Sequence, residues 1–362
     1  MTSASPFMSP GESRHRRRRN IQRRRARRRA LALGALALAI AVGLVAIILA
    51  GGADHGSSSA HAAVRGAAKA DAAPLLSPAG LPLGKPPLVL SGLANPLSDP
   101  LLVSFHSPPR AGLLFNLDTG QVLWQRNPQE RLRIASLTKM MTALLAVRSG
   151  PPSAPVLVTR QAIDTAGSKV GVLPLGRRVR MQTMLYGLLL PSGNDAAVAL
   201  AQHVSGTLGA FVTAMNAEAA HLGLACTHYS SPSGYYNSDN FSCAQDLAVL
   251  AHVDLEQPRL AKIVRTYTAA LPFPIAGGKL YLENNNPLLI YGYPGLTGLK
   301  TGYTAAAGRC LVATAERHGV RLGVVLLHSP DPGNQASRLL NLGFQQIYHQ
   351  APVSEPPIPA GV

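Results

Sequence analysis

The sequence predicts an α/β chain of the α+β type: an antiparallel sheet flanked by helices, with a helical lobe inserted between its first and last strands. Three observations point there. Near residue 111, AGLLFNLDTGQVLWQRN sets two apolar runs around Asp118-Thr119-Gly120, a hairpin pattern. After Leu280 the period changes to strand-like runs, GLKTGYT, RCLVATAERHG and VRLGVVLLHS, with glycine at the turns. Between these two regions the apolar residues recur with helical spacing.

The elements follow in order. IASLTKMMTALLA, residues 134–146, reads as a buried helix carrying two unexpected polar groups, Ser136 and Lys139. VRMQTMLYGLLLPSGNDAAVALAQHVSG reads as a helix, a Pro-Ser-Gly break and a second helix. TLGAFVTAMNAEAAHLGL continues the helical block, SSPSGYYNSDN is a loop, and SCAQDLAVLAHV is a helix with Ser242 as its N-cap. The three strands come next, and NQASRLLNLGFQQIYHQ closes the domain as a helix. The domain is expected over 101–350, with a Pro-rich, disordered tail at 351–362.

Upstream, residues 1–29 are Arg-rich. The whole chain of 362 residues has a formal net charge of +17, but residues 1–30 hold eleven of the 34 Lys and Arg against Glu12 alone. Such a block suits nucleic acid, yet residues 30–50, ALALGALALAIAVGLVAIILA, contain no polar side chain. As a helix they span about 31 Å at ~1.5 Å per residue, one bilayer core. Arginines ahead of an apolar span hold that end in the cytoplasm, so the basic block is explained without nucleic acid. The expected arrangement is a single-pass signal anchor in the cell membrane, with the folded domain outside the cytoplasm. Ala60-His61-Ala62 offers an A-x-A cleavage motif, which keeps a secreted or periplasmic form open. Residues 51–100, rich in Ala, Gly, Pro and Ser, are expected to be a flexible linker.

The three cysteines, Cys226, Cys243 and Cys310, lack zinc-site spacing. They read best as small buried apolar residues, although an exported chain allows one disulfide and one thiol. No metal site and no cofactor is implied.

Three polar islands interrupt apolar surroundings. In the first, Ser136 and Lys139 are three apart and share a helix face. A serine hydroxyl is a weak nucleophile until a base takes its proton, and a lysine takes it when desolvation or a nearby cation lowers its pKa. In the second, Ser192-Gly193-Asn194 sits at the helix break. Its hydroxyl suits proton transfer to a leaving amine, and its amide suits a substrate carbonyl or the lysine. In the third, Lys300-Thr301-Gly302 lies on a strand. Gly302 leaves room for a ligand backbone, and Lys300 and Thr301 offer a cation and a hydroxyl to a carboxylate. Taken singly, each has a plainer reading: a solvated helix lysine, a helix N-cap, an edge-strand lysine.

In this order the three islands resemble the Ser-x-x-Lys, Ser-x-Asn and Lys-Thr-Gly set of penicillin-binding proteins and serine β-lactamases. With SKVGVLPLGRRVRMQTMLYGLLLPSGNDAAVALA and GLTGLKTGYTAAAGRCLVATAERHGVRLGVVLL, the chain from 108 to 348 resembles the D-alanyl-D-alanine carboxypeptidase family, the S11 serine peptidases. The resemblance implies the penicillin-binding, β-lactamase-like transpeptidase fold. It implies removal of the terminal D-Ala from peptidoglycan stem peptides. Ser136 would be the acyl-forming nucleophile, Lys139 its base, and Ser192 and Asn194 the second motif. Lys300, Thr301 and Gly302 would bind the substrate, Lys300 and Thr301 taking its carboxylate. The backbone N–H groups of Ser136 and Tyr303 would form the oxyanion hole. β-Lactam antibiotics would be covalent inhibitors.

Two departures stand out. Relatives often carry an arginine in the loop before the last helix. Here that loop is HSPDPGNQAS, so the carboxylate rests on Lys300 and Thr301, or Arg338 reaches in. Relatives also often end in a β-domain and an amphipathic anchor, whereas here the N-terminal segment is expected to supply attachment. An endopeptidase cutting cross-links through the same intermediate is the near alternative. A β-lactamase is disfavoured, because no Asp or Glu falls between Glu218 and Asp239 to serve deacylation. A non-catalytic wall-binding protein is disfavoured because all the nominated groups are present.

Overall fold

A computed structural model describes residues 75–93, 99–235 and 239–348. The Arg-rich segment, the apolar run 30–50 and the tail 351–362 lie outside the described residues, so their expected roles are neither supported nor contradicted by the fold.

The core is a five-stranded antiparallel sheet. β1 (Ala111–Asn116) and β2 (Val122–Arg126) form the hairpin around Asp118-Thr119-Gly120. β3 (Leu296–Thr304), β4 (Gly308–Arg317) and β5 (Val320–Ser329) are the three late strands. The spatial order is β2-β1-β5-β4-β3. The first and last parts of the chain therefore join side by side, Leu113 opposite Val325, and β3 forms the far edge. The helical block is an insertion between β2 and β3, as the order of sequence patterns predicts.

Both sheet faces are covered, which is why the strands are almost continuously apolar rather than alternating. Phe115, Val312, Val325 and Leu327 face the helical lobe. Leu114, Leu311, Val324 and Leu326 pack instead on Leu339, Leu340 and Phe344 of the closing helix. The lobe contains α1 (Lys139–Ser149), α2 (Met181–Leu189), α3 (Asn194–Ser205), α4 (Leu208–His221) and α5 (Ala244–Leu255), and the closing helix is α6 (Pro332–Tyr348). Among the described residues no single helix is long and apolar enough to cross a membrane.

Three expectations are corrected. The described part of the linker expected over 51–100, residues 75–93 and 99–100, is not free chain. Gly84 N–H donates to the Ala220 carbonyl (2.8 Å), Leu88 is buried, and Ser91 exchanges backbone bonds with Gly120 and Val122 beside β2 (both 3.0 Å). Asp99 accepts bonds from the Gln125 N–H (2.9 Å) and side-chain amide (2.8 Å). A Pro- and Gly-rich strap carries no periodicity, so its packing leaves no pattern to read. Ser242 is not the N-cap of α5. That position belongs to Cys243, without a side-chain bond, while the Ser242 hydroxyl lies 2.8 Å from that of Thr227. Finally, Cys226 and Cys243 form a disulfide and only Cys310 is a free, buried thiol.

Candidate active site

The first island folds as a one-turn 3-10 helix, Ala135–Thr138, running directly into α1. Ala135 is held at φ +47°, a left-handed conformation that costs a non-glycine residue about 1–3 kcal/mol and persists only where surroundings enforce it. The enforcement is visible on both sides. A Cβ on Gly302 of β3 would lie 3.1 Å from the Ser136 nitrogen and 2.9 Å from the Ile134 carbonyl oxygen, so only glycine lets that strand come so close. On the other side, Gly234 (φ +71°) has no room for a Cβ beside the Ala135 carbonyl and the Thr138 hydroxyl.

Lys139 is fully buried. Its Nζ lies 2.9 Å from Ser136 Oγ, 2.7 Å from Asn194 Oδ1 and 2.9 Å from the Ser233 carbonyl oxygen. No carboxylate is bonded to it. Burial is the largest influence on its pKa, followed by the charge of Lys300, and together they hold it well below the ordinary lysine value against a smaller opposing pull from Asp195. A neutral amine has two hydrogens and one lone pair. The two pure acceptors, Asn194 Oδ1 and Ser233 O, take the hydrogens, which leaves the lone pair facing the Ser136 hydroxyl.

The second island is held as firmly. Ser192 bridges α2 and α3 at φ +65°, and Gly193, not a side chain, caps α3. The Ser192 hydroxyl is buried without a protein partner and lines the cavity in front of Ser136. Asn194 donates its Nδ2 to the Ala166 carbonyl (2.7 Å), which fixes the amide so that Oδ1 faces Lys139. Next to it, the Asp195 carboxylate accepts from the N–H groups of Val170 (2.9 Å) and Gly171 (3.0 Å), pinning the loop over the start of α3.

The third island lies on edge strand β3. Thr301, Gly302 and Tyr303 line the same cavity of about 270 Å³ as Ser136 and Ser192. Lys300 is buried. Its Nζ donates to the carbonyl of Thr301 (2.9 Å), and burial brings its pKa down to about 7. All three islands therefore meet: the structure brings Ser136, Lys139, Ser192, Asn194, Lys300, Thr301, Gly302 and Tyr303 to one seam between sheet and lobe. Arg338 does not reach in. It donates to the Ser104 carbonyl (3.1 Å) and lies over the Phe105 ring at 5.2 Å.

Sequence reading missed two contributors. One is the loop closed by the Cys226–Cys243 disulfide, which supplies the Ser233 carbonyl to Lys139 and the Pro232 carbonyl to Thr142 Oγ1 (2.6 Å). Asn240 ties that loop to Thr138 Oγ1 at 3.0 Å. The other is Arg309, which lines the cavity from β4. Backbone carbonyls carry no signal in residue type, and an arginine in a strand looks like any other. Among the described residues, the cluster of metal-ligating types that lies close together is Cys226, Cys243 and Asp246. Both of its sulfurs are in the disulfide, and Asp246 instead accepts from the Cys226 N–H and the Thr227 hydroxyl, each at 2.7 Å.

A serine hydroxyl with a buried lysine amine one helical turn on, at the seam of an antiparallel sheet and an inserted helical lobe, is the arrangement of the active-serine enzymes that penicillin acylates. Comparison narrows the class. The family model described as "D-alanyl-D-alanine carboxypeptidase" (Peptidase S11) matches residues 107–331, and the chain belongs to that family of serine-type hydrolases. It is 35% identical to D-alanyl-D-alanine carboxypeptidase DacF of Bacillus subtilis over 245 residues, covering 66% of this chain and 62% of that protein, so the chain spans less than two thirds of that relative. It is also 35% identical to a D-alanyl-D-alanine endopeptidase of Pseudomonas aeruginosa over 246 residues, 63% of this chain and 78% of that protein. The crystal structure of the Streptomyces K15 DD-transpeptidase superposes with a TM-score of 0.63 at 29% identity, covering 67% of this chain and 99% of that one.

Proposed function

We propose that the chain is a serine DD-peptidase that removes the terminal D-Ala from peptidoglycan stem peptides through an acyl-enzyme on Ser136. The observation that carries this reading is the setting of Lys139: its Nζ lies 2.9 Å from Ser136 Oγ, with Asn194 Oδ1 and the Ser233 carbonyl oxygen as its other partners, and burial and the charge of Lys300 favour the neutral amine a base needs.

The steps follow from that geometry. Lys139 takes the Ser136 proton as Oγ attacks the carbonyl carbon of the penultimate D-Ala. The developing oxyanion is received by the backbone N–H groups of Ser136 and Tyr303; one such donor is worth roughly 10²–10³ in rate. The Ser192 hydroxyl, without a protein partner, passes its proton to the leaving amine and takes in its place the one Lys139 received from Ser136, which returns Lys139 to the neutral amine. The C–N bond breaks and D-Ala departs. Water, deprotonated by Lys139, then attacks the ester; as the C–Oγ bond breaks Lys139 returns that proton to Ser136, which frees the shortened peptide and the serine. Asn194 orients both Lys139 and the substrate amide. No step needs a metal or cofactor. β-Lactams would acylate Ser136 by the same path as covalent inhibitors, and no acidic residue lines the cavity to supply the deacylating carboxylate of a Ser-Asp-Asn β-lactamase.

An endopeptidase reading has one observation behind it, the relative of that name at 35% identity. The test is a muropeptide mixture. D-Ala release from a pentapeptide supports the carboxypeptidase, whereas cleavage of a cross-linked dimer alone replaces it with the endopeptidase. Fluorescent penicillin should label the protein, and Ser136→Ala should abolish labelling. Robust labelling of the alanine variant refutes the assignment. We also place the catalytic domain outside the cytoplasm, anchored through residues 30–50. The Cys226–Cys243 disulfide, of a kind rare in reducing compartments, supports this. Protease added to intact spheroplasts should digest the domain; complete protection would refute the placement.

A further inference from the structure

The cavity in front of Ser136 is lined by serine, threonine, asparagine, tyrosine, cysteine and apolar residues, and by one residue with a permanent charge, Arg309. Arg309 sits on β4 directly opposite Tyr303 of β3, and Leu311 sits opposite Thr301. Paired residues on antiparallel strands point to the same side, and alternate residues along a strand share a face. The guanidinium of Arg309 and the hydroxyl of Thr301 therefore stand on one side of the sheet, at the same cavity. The fork is anchored from behind: Nη1 donates to the Pro330 carbonyl at 3.2 Å. No carboxylate of the described residues pairs with Arg309, and none lines the cavity. Its remaining N–H groups are available to a ligand.

The other two cations of the site are poor partners for an anion. Lys139 must be neutral to serve as the base. Lys300 donates to its own strand and, with a pKa of about 7, is only partly charged at neutral pH. The loop before α6, HSPDPGNQAS, holds no arginine of its own. It contributes the Pro330 carbonyl that Arg309 holds, so the guanidinium reaches that place from the neighbouring strand.

We propose that Arg309 binds the C-terminal carboxylate of the substrate, together with Thr301, and so makes the enzyme selective for chains that end in a free acid. This rests on the DD-peptidase reading for the identity of the peptide. The anion itself is required only by Arg309 and Thr301.

The test compares two substrates that differ at that carboxylate: an acylated peptide ending in D-Ala-D-Ala, and its C-terminal amide. A charge-assisted bond from arginine to a carboxylate predicts that Arg309→Gln lowers kcat/KM on the acid by about 10–100-fold, mainly through KM. On the amide it should change by less than about twofold, because the neutral end has no charge to lose. Arg309→Lys should recover part of the loss, since it restores the charge without the fork. Equal losses on acid and amide, or no loss on the acid, would overturn the proposal. Benzylpenicillin and its methyl ester separate this outcome from failure of the peptide reading. If wild type hydrolyses neither peptide yet Arg309→Gln slows acylation by the acid and not by the ester, the DD-peptidase reading fails and the Arg309 assignment stands. If Arg309→Gln slows acid and ester alike, the Arg309 assignment fails.

Discussion

Replacing Lys300 by Met separates the cost of a buried lysine from its use. Lys300 is fully enclosed, and burial brings its pKa from an ordinary 10.5 to about 7. The folded chain therefore binds fewer protons at this group than the unfolded chain throughout the window from about 10.5 down to about 7. Stability must fall as pH falls through that window and level off below it. At 1.36 kcal/mol per unit, acidification from pH 9 to pH 6 costs wild type about 3 kcal/mol through Lys300 alone. Methionine fills similar space and does not titrate, so Lys300→Met should escape that loss. For a domain of this size the difference in Tm between variant and wild type should grow by roughly 5–10 °C from pH 9 to pH 6. Scanning fluorimetry across that range reads it directly. A second readout is chemical. The charge of Lys300 is one of the influences that keep Lys139 neutral, so its removal should move the acid limb of the penicillin-labelling rate to higher pH. Parallel melting curves for the two proteins from pH 9 to pH 6, with an unmoved acid limb, would show that Lys300 is solvated and refute the reasoning.

Gly234→Ala should cut the labelling rate by about 10²-fold, because a Cβ there collides with the Ala135 carbonyl and displaces the Ser233 carbonyl from Lys139; stopped-flow acylation checks it, and an unchanged rate contradicts it. Replacing both Cys226 and Cys243 by Ala opens a loop of 17 residues, which should cost about 3 kcal/mol of stability and slow acylation, since the tip of that loop touches the base; equal Tm and rate with and without the bridge would contradict this.

The sheet and the residues of the candidate site were legible in the sequence for different reasons. The strands were visible because burial on both faces demands unbroken apolar runs, and Asp118-Thr119-Gly120 marks the hairpin. Ser136, Lys139, Ser192 and Asn194 were visible because each is a polar group in an apolar setting, where an unpartnered side chain is costly. What stayed hidden is what residue type does not encode. The Ser233 carbonyl exists at every position of every chain, and its role comes from Gly234 allowing the loop to dock. The strap carrying Leu88 and Ser91 bonds mostly through backbone, so its sequence resembles a free linker. Ser242 has the right chemistry for a cap, but it lies one residue before the N-cap position and its hydroxyl is 2.8 Å from that of Thr227. Arg309 acquires its place only from strand register, which pairs it with Tyr303.

The seam has a consequence for when the chain becomes reactive. Lys139 meets Asn194 across 55 residues and the Ser233 carbonyl across 94, and Gly302 reaches the nucleophile's turn from the far end of the insertion. A newly made chain with its helices formed but its lobe not yet closed on the sheet has a solvated, protonated lysine and an ordinary serine. It is chemically silent. Covalent capture by penicillin thus counts only molecules that have completed tertiary closure, which makes the drug a single-molecule tally of maturation, usable in a crude extract where no melting curve can be recorded.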